Sequence, residues 1–273
     1  MEYEIKPKNK LTLGIDELWQ YRELFYFFTW RDIKVKYKQT VLGFAWAVLQ
    51  PLLMMFIFDA VFSNIFQDPD LKNIPYKVFA YSGLMLWNIF SSGLTSAGNS
   101  MVSNANIIKK IYFPRLIIPI SAVLVSLFDF LMASLVFIGL LIYYHIHINI
   151  LKSAVYIPIS IIITSISTCG IGTLLAALNI KYRDFRYIIP FFVQALLFIT
   201  PVIYPISMIG SKVLKYIVAV NPMYSAIALF RSGLFNKPLQ MDLFIISIAS
   251  SILFLIIGIY YFRKTESYFA DLA

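Results

Sequence analysis

Charge is scarce in this 273-residue sequence: Asp, Glu, Lys and Arg supply 14% of it, against 60% hydrophobic residues. With a mean hydropathy of +0.76, that balance excludes a soluble globular domain and points to an integral membrane protein. The single cysteine, Cys169, has no second thiol to pair with, which excludes an intrachain disulfide. The only histidines, His145 and His147, fall in HIHI after an apolar run; they read as an interfacial turn, and no Cys/His spacing suits a metal. A phosphate-binding lysine loop is also missing. GLTSAGNS at 93–100 has Asn99 where such a loop needs lysine, and it lies inside an apolar run. Gly93, Ala97 and Ser100 there read instead as small residues for close helix packing, so nucleotide hydrolysis is not expected of this chain. The opening MEYEIKPKNKLTLGI lacks the apolar core of a cleaved signal, and the N-terminus is expected to be retained.

What is abundant is apolar length. Runs at about 44–63, 78–103, 116–144, 153–178, 188–205 and 242–262 are each near the ~20 residues that cross a hydrocarbon layer. A weaker run at 213–235 is interrupted by Lys215, Asn221, Pro222, Ser225 and Arg231. It follows Pro201 and Pro205, which stop a helix continuing from the fifth run. The expectation is therefore an all-α integral membrane protein forming a single domain over 1–273. It has six transmembrane helices, an N-terminal amphipathic interface helix at 16–38, and short re-entrant helices at 206–235. Of the 23 Lys and Arg residues, 16 fall in inner segments when both termini are cytoplasmic, and 7 in outer ones.

The stretch RDIKVKYKQTVLG at 31–43 admits three readings: a nucleic-acid arm, a membrane-surface anchor, or an element that passes force to the first span. Leu18, Tyr21, Phe25 and Phe28 recur at helical spacing ahead of it. A helix of this kind lies flat in the inner interface, with Trp19, Trp30 and Tyr37 at headgroup depth and Lys34, Lys36 and Lys38 toward anionic lipid. The matched apolar face excludes the nucleic-acid arm. Because only residues 39–42 separate the cations from Gly43 and the first span, force transfer is expected as well.

Several short segments, taken in order, resemble the permease subunits of ABC-2 type polysaccharide exporters, the O-antigen, capsule and teichoic-acid group. They are RDIKVKYKQTVLGFAWAVLQPL at 31–52, NIIKKIYFPR at 106–115, NIKYRDFR at 179–186, TPVIYP at 200–205, NPM at 221–223 and RKTESYFADLA at 263–273. The resemblance implies a dimer of this chain with two copies of a separate ATPase subunit, moving a lipid-linked glycan across the bacterial cytoplasmic membrane. It implies no cofactor in this chain, ATP and Mg being bound by the partner.

In that light the two inner loops are the expected ATPase docking elements: Asn106, Ile107, Ile108, Lys109, Lys110, Ile111 and Arg115 in the first, and Lys181, Arg183, Asp184 and Arg186 in the second. Two aromatic stripes, each with one glutamine, are the candidate substrate path: Trp46, Gln50, Met54 and Phe58 on the first span, and Tyr187, Phe191, Gln194 and Phe198 on the fifth. Sugar CH faces suit aromatic planes and hydroxyls suit amides; plain helix packing explains the same stripes. Asp129, near the middle of the third run by count, needs a partner there and is expected to hydrogen-bond structurally. Teichoic acid, capsule or a smaller lipid-linked molecule are alternative cargoes. An ion-coupled secondary transporter and a membrane-embedded glycan enzyme are the other classes. The first would need further intramembrane ionisable groups, the second a clustered catalytic set, and the sequence offers neither.

Overall fold

The computed structural model describes residues 15–38, 43–65, 74–266 and 269, and every regular element among them is helical. In chain order the helices are α1 (Ile15–Gln20), α2 (Arg22–Lys38), α3 (Ala45–Phe62), α4 (Tyr76–Ser103), α5 (Ala105–Ile108), α6 (Ile117–Tyr143), α7 (Ile150–Lys181), α8 (Phe185–Ile199), α9 (Lys212–Ala219), α10 (Met223–Phe235) and α11 (Met241–Thr265). Local chemistry sets their ends. Extended Pro75 precedes α4, and the Asn149 side chain caps α7 by accepting from the Lys152 N–H at 3.1 Å. Extended Thr200, held in that conformation by Pro201, stops α8. Asn236 closes α10 in the left-handed conformation, and His145 does so just past α6, at the turn expected there.

Four of these helices, α3, α6, α7 and α11, are long and apolar enough to cross a membrane, and the α9–α10 pair, bent by 99°, raises the number to five if it counts as one span. Two expected spans depart from that standard for different reasons. The 28-residue α4 has ample length but carries Ser, Gly and Asn throughout, because it is the centre of the bundle. Helices α3, α6, α7, α8 and α10 all pack on it, so few of its residues have to be apolar enough for lipid. The fifth run ends at Ile199, six residues short of expectation, leaving α8 with 15 residues. A 3-10 turn at Ile206–Met208 and the bent pair occupy the re-entrant region.

Small residues let the helices close on one another. A Cβ on Gly93 would fall 2.8 Å from Thr168 Cγ2, and one on Gly172 would fall 2.9 Å from the Ala97 Cβ. The segment that superficially resembles a phosphate loop is thus a packing face of α4. The tightest crossing is α7 on α11, where a Cβ on Gly170 would lie 2.6 Å from the Leu255 nitrogen. Buried serines tie the same region: Ser167 bonds Ser251 at 3.1 Å, and Ser247 bonds Ser225 at 3.0 Å.

Candidate functional site

Helix α2 is laid along α6. Phe28 meets Phe113 at 5.6 Å, Arg31 Nη2 donates to Asn104 Oδ1 at 2.8 Å, and Ile33 and Tyr37 pack with Val125. At its end the Lys36 ammonium pairs with Asp129 Oδ2 at 2.5 Å and the Tyr37 hydroxyl donates to Asp129 Oδ1. Asp129 is 2% exposed. Burial first, then the bond to this carboxylate, pushes the Tyr37 phenol up, so it remains a protonated donor.

This geometry corrects the flat-helix expectation in three places. The Leu18, Tyr21, Phe25 and Phe28 face covers the protein's own core, with Ile108, Phe113 and Ile117, and not lipid. Tyr37 is buried against α6 and is not presented to lipid. Lys36 is turned away from Lys34 and Lys38. At 100° per residue, positions 34 and 38 nearly coincide, while 36 lies about 200° round the helix. The opposite face of α1–α2 does expose Trp19, Tyr26, Phe27 and Trp30, with Lys34 5.3 Å from the Trp30 ring centroid. The connector 39–42 lies outside the described residues.

Asp129 lies near the middle of α6 by residue count. It lies about 18 Å along α6 from Ile117 at 1.5 Å per residue, and Phe44, at the start of α3, meets its neighbour Phe128 at 5.7 Å. The carboxylate is therefore level with the first residues of α3.

The start of the first inner loop meets the second. Ala105 of the first and Arg183 and Arg186 of the second border one cavity of about 290 Å³ with Val102, Asn179 and Tyr187. In the first loop the isoleucines divide: Ile108 is buried and Ile107 half-buried in the core, whereas Ile111 is 63% and Tyr112 76% exposed. Asn106, Lys109 and Lys110 are exposed, as are Lys181 and Asp184 in the second loop. Arg115 does not offer itself to a partner. Its backbone N–H donates to Glu266 Oε1 at 3.1 Å and its guanidinium to the Glu266 carbonyl, while Arg263 pairs with the same carboxylate at 3.0 Å. The first loop is thereby tied to the end of α11.

The two aromatic stripes meet different fates. Trp46, Gln50 and Met54 line an open groove of about 620 Å³ with Lys36, Tyr37 and Leu53. Phe58 turns into the core and meets Phe62 at 6.0 Å. Each i+4 step advances 400°, so three steps rotate the stripe by about 120° and carry its last member off the face. The α8 stripe steps by 4, 3 and 4 residues and rotates by only about 20°. Tyr187, Phe191, Gln194 and Phe198 are all exposed on it. No group of three or more potential metal ligands occurs among the described residues.

Sequence reasoning found Asp129 but not its partners, and it missed the Arg115–Glu266 tie altogether. Spans of 93 and 151 residues separate those pairs, and no local periodicity signals them. Comparison with known proteins agrees with the resemblance seen in the short segments. The ABC-2 type transporter family matches residues 23–235. An O-antigen export system permease protein RfbA of Klebsiella pneumoniae is 32% identical over 251 residues, covering 92% of this chain and 95% of that one. The RfbA of Myxococcus xanthus is 27% identical over 80% of this chain and 82% of its own. The polysialic acid transport protein KpsM of Escherichia coli is 24% identical over 74% and 78% respectively. With a family match over most of its length and a third of its residues shared with a permease of nearly equal extent, the chain belongs to the ABC-2 type transporter family.

Proposed function

We propose that this chain is the transmembrane subunit of an ATP-driven exporter that moves a lipid-linked polysaccharide of O-antigen type across the cytoplasmic membrane. Two copies work with two separate ATPase subunits, which bind ATP and Mg. The single observation that carries the reading is that both basic loops are exposed, the first presenting Ile111 and Tyr112 for an apolar cleft and beginning at Ala105 beside the cavity that Arg183 and Arg186 of the second border. That is what docking an engine from outside requires. In this reading α3, α4, α6, α7, α8 and α11 are six spans, α9–α10 is the re-entrant element, α2 is the inner interface helix, and both termini are cytoplasmic. O-antigen is preferred over capsule because the RfbA relatives share more of the chain than KpsM does. An ion-coupled mechanism gains no support from Asp129, whose oxygens are occupied by Lys36 and Tyr37.

Co-expression with the ATPase and mass measurement of the intact complex tests the assembly. Two copies of each subunit are expected, and glycan export by this chain alone would end the proposal. The path is tested separately. Phe191 is 74% exposed and supports no core, so Phe191→Ala should leave assembly and ATP hydrolysis unchanged and lower export several-fold. Loss of assembly would assign the α8 stripe to packing between the two copies.

A further inference from the structure

The segment RKTESYFADLA at 263–273 begins in the last turn of α11 and continues past it, and neither the spans nor the aromatic stripes account for its pattern. Its described residues reach back to the first inner loop. Glu266, directly after α11, accepts from the Arg115 backbone N–H through Oε1 at 3.1 Å and from the Arg115 guanidinium through its own carbonyl. Its other carboxylate oxygen takes Arg263 Nη1 at 3.0 Å, which fixes the carboxylate against the end of α11. Three residues on, the Phe269 ring is fully buried and meets Phe262 of α11 edge-on at 5.0 Å. It shares one buried cluster with Ile108 and Phe113 of the loop, Phe28 of α2 and Ile180 of α7.

The loop has little of its own to hold its shape. Residues 109–116, between α5 and α6, lie in no helix, and the conformational entropy of such backbone opposes a single arrangement, so contacts from elsewhere must set it. Ile108 and Phe113 bracket the exposed stretch 109–112, and both are buried in the cluster that contains Phe269. From one side α2 contributes the Phe28–Phe113 contact at 5.6 Å and the bond from Arg31 Nη2 to Asn104 Oδ1 at 2.8 Å. From the other side Glu266 takes both the backbone and the side chain of Arg115, where the chain turns into α6 and N–H groups lack partners within the helix. A carboxylate there also suits the positive end of α6. The stretch that carries Ile111 and Tyr112 is thus fixed at its two ends by residues that follow α11.

We infer that Glu266 and Phe269 form a clasp that holds the first inner loop in the shape presenting Ile111 and Tyr112, and that they are positioning residues for the ATPase contact. Neither has to touch the partner: Glu266 acts through Arg115, and Phe269 through the buried cluster. The link to the ATPase rests on the exporter reading proposed above, whereas the hold on the loop does not.

The test uses the full-length chain in detergent, alone and with its co-expressed ATPase. Trypsin reads the loop directly, because Lys109 and Lys110 are exposed and cleavage tracks the population in which a segment is open. Glu266→Ala removes both carboxylate bonds, and Phe269→Ala removes the buried ring. Each should raise cleavage after Lys109 or Lys110 about tenfold, the scale of one lost charge-assisted hydrogen bond, with only a small fall in the thermal midpoint of the chain. Glu266→Gln keeps an oxygen for the Arg115 N–H and Phe269→Leu keeps an apolar side chain, so both should stay near wild type. Phe269→Val, a smaller truncation, takes the place of Phe269→Ala if that chain does not fold. In the complex the two Ala variants should bind the ATPase about tenfold more weakly. Tyr112→Ala is the docking control: at 76% exposed it should weaken ATPase binding and leave cleavage unchanged. Wild-type cleavage in the Glu266 and Phe269 truncations overturns the clasp. Faster cleavage with unchanged ATPase affinity, where Tyr112→Ala lowers that affinity, overturns the positioning role. If Tyr112→Ala also binds normally, the docking reading is what fails, and the cleavage rates still decide whether the clasp holds the loop.

Discussion

Gly258→Leu should abolish folding, and Gly258→Ala should cost at least as much as any other single added methyl group in the bundle. A Cβ at 258 would lie inside contact distance of the Gly170 carbonyl oxygen and 2.8 Å from Thr173 Oγ1. Gly170 is closed from its own side by the Leu255 backbone, so neither residue can yield by moving a side chain. The two helices would have to separate along one of the most extensive contacts of the structure. Overpacking a close-packed interior costs about 1–3 kcal/mol when side chains can adjust, and here backbone must move, which puts Gly258→Ala at the upper end or beyond. Gly139→Ala is the control: it too lies within a long helix, α6, and nothing approaches its Cβ within 4 Å. That change should be neutral or stabilise by up to about 1 kcal/mol through helix propensity. Thermal unfolding and monodisperse yield in detergent separate the two, and equal behaviour of Gly139→Ala and Gly258→Ala would show that the crossing is looser than its geometry.

Much of this fold was legible because membrane spans are written locally. An apolar run of sufficient length and the prolines at 201, 205 and 222 are enough to place helices to within a few residues. What the local signal could not give is which face of each helix meets protein. Helix α4 is ordinary in length and unusual in composition, and only its central position explains why Ser82, Gly93 and Ser100 stand where lipid-facing residues would be expected.

The candidate site was legible to the same degree. Periodicity kept Tyr187, Phe191, Gln194 and Phe198 on one exposed face, whereas the strict i+4 series on α3 drifted until Phe58 entered the core. In the first inner loop the charge pattern identified an exposed surface, but it could not tell Ile111, which is presented, from Ile108, which is consumed by packing against the N-terminal helix. Arg115 had the right charge for docking and a different engagement, because its partner Glu266 arrives from the other end of the chain.

Removing Lys36 should be far more damaging than removing Asp129, although they are partners in one ion pair. The asymmetry comes from burial: the Lys36 side chain is 43% exposed and that of Asp129 3%. Lys36→Met strands a carboxylate in the interior with the Tyr37 hydroxyl as its remaining donor, and breaking a buried pair in this way costs about 3–5 kcal/mol. Asp129→Asn leaves an ammonium that can turn to water and an amide oxygen that can still accept from Tyr37, so the loss should be about 1 kcal/mol. The double variant Lys36→Met/Asp129→Leu removes both charges and should recover most of the stability lost in Lys36→Met. The interaction energy from that cycle measures the pair itself. The same variant tests the proposed mechanism, since Lys36 and Tyr37 join α2 to α6 beside the first residues of α3. If the pair carries movement from the docked ATPase to the spans, the double variant should assemble and hydrolyse ATP normally while exporting glycan several-fold more slowly in vesicles. Wild-type export from a stable double variant would leave the pair a structural tie and remove this coupling role.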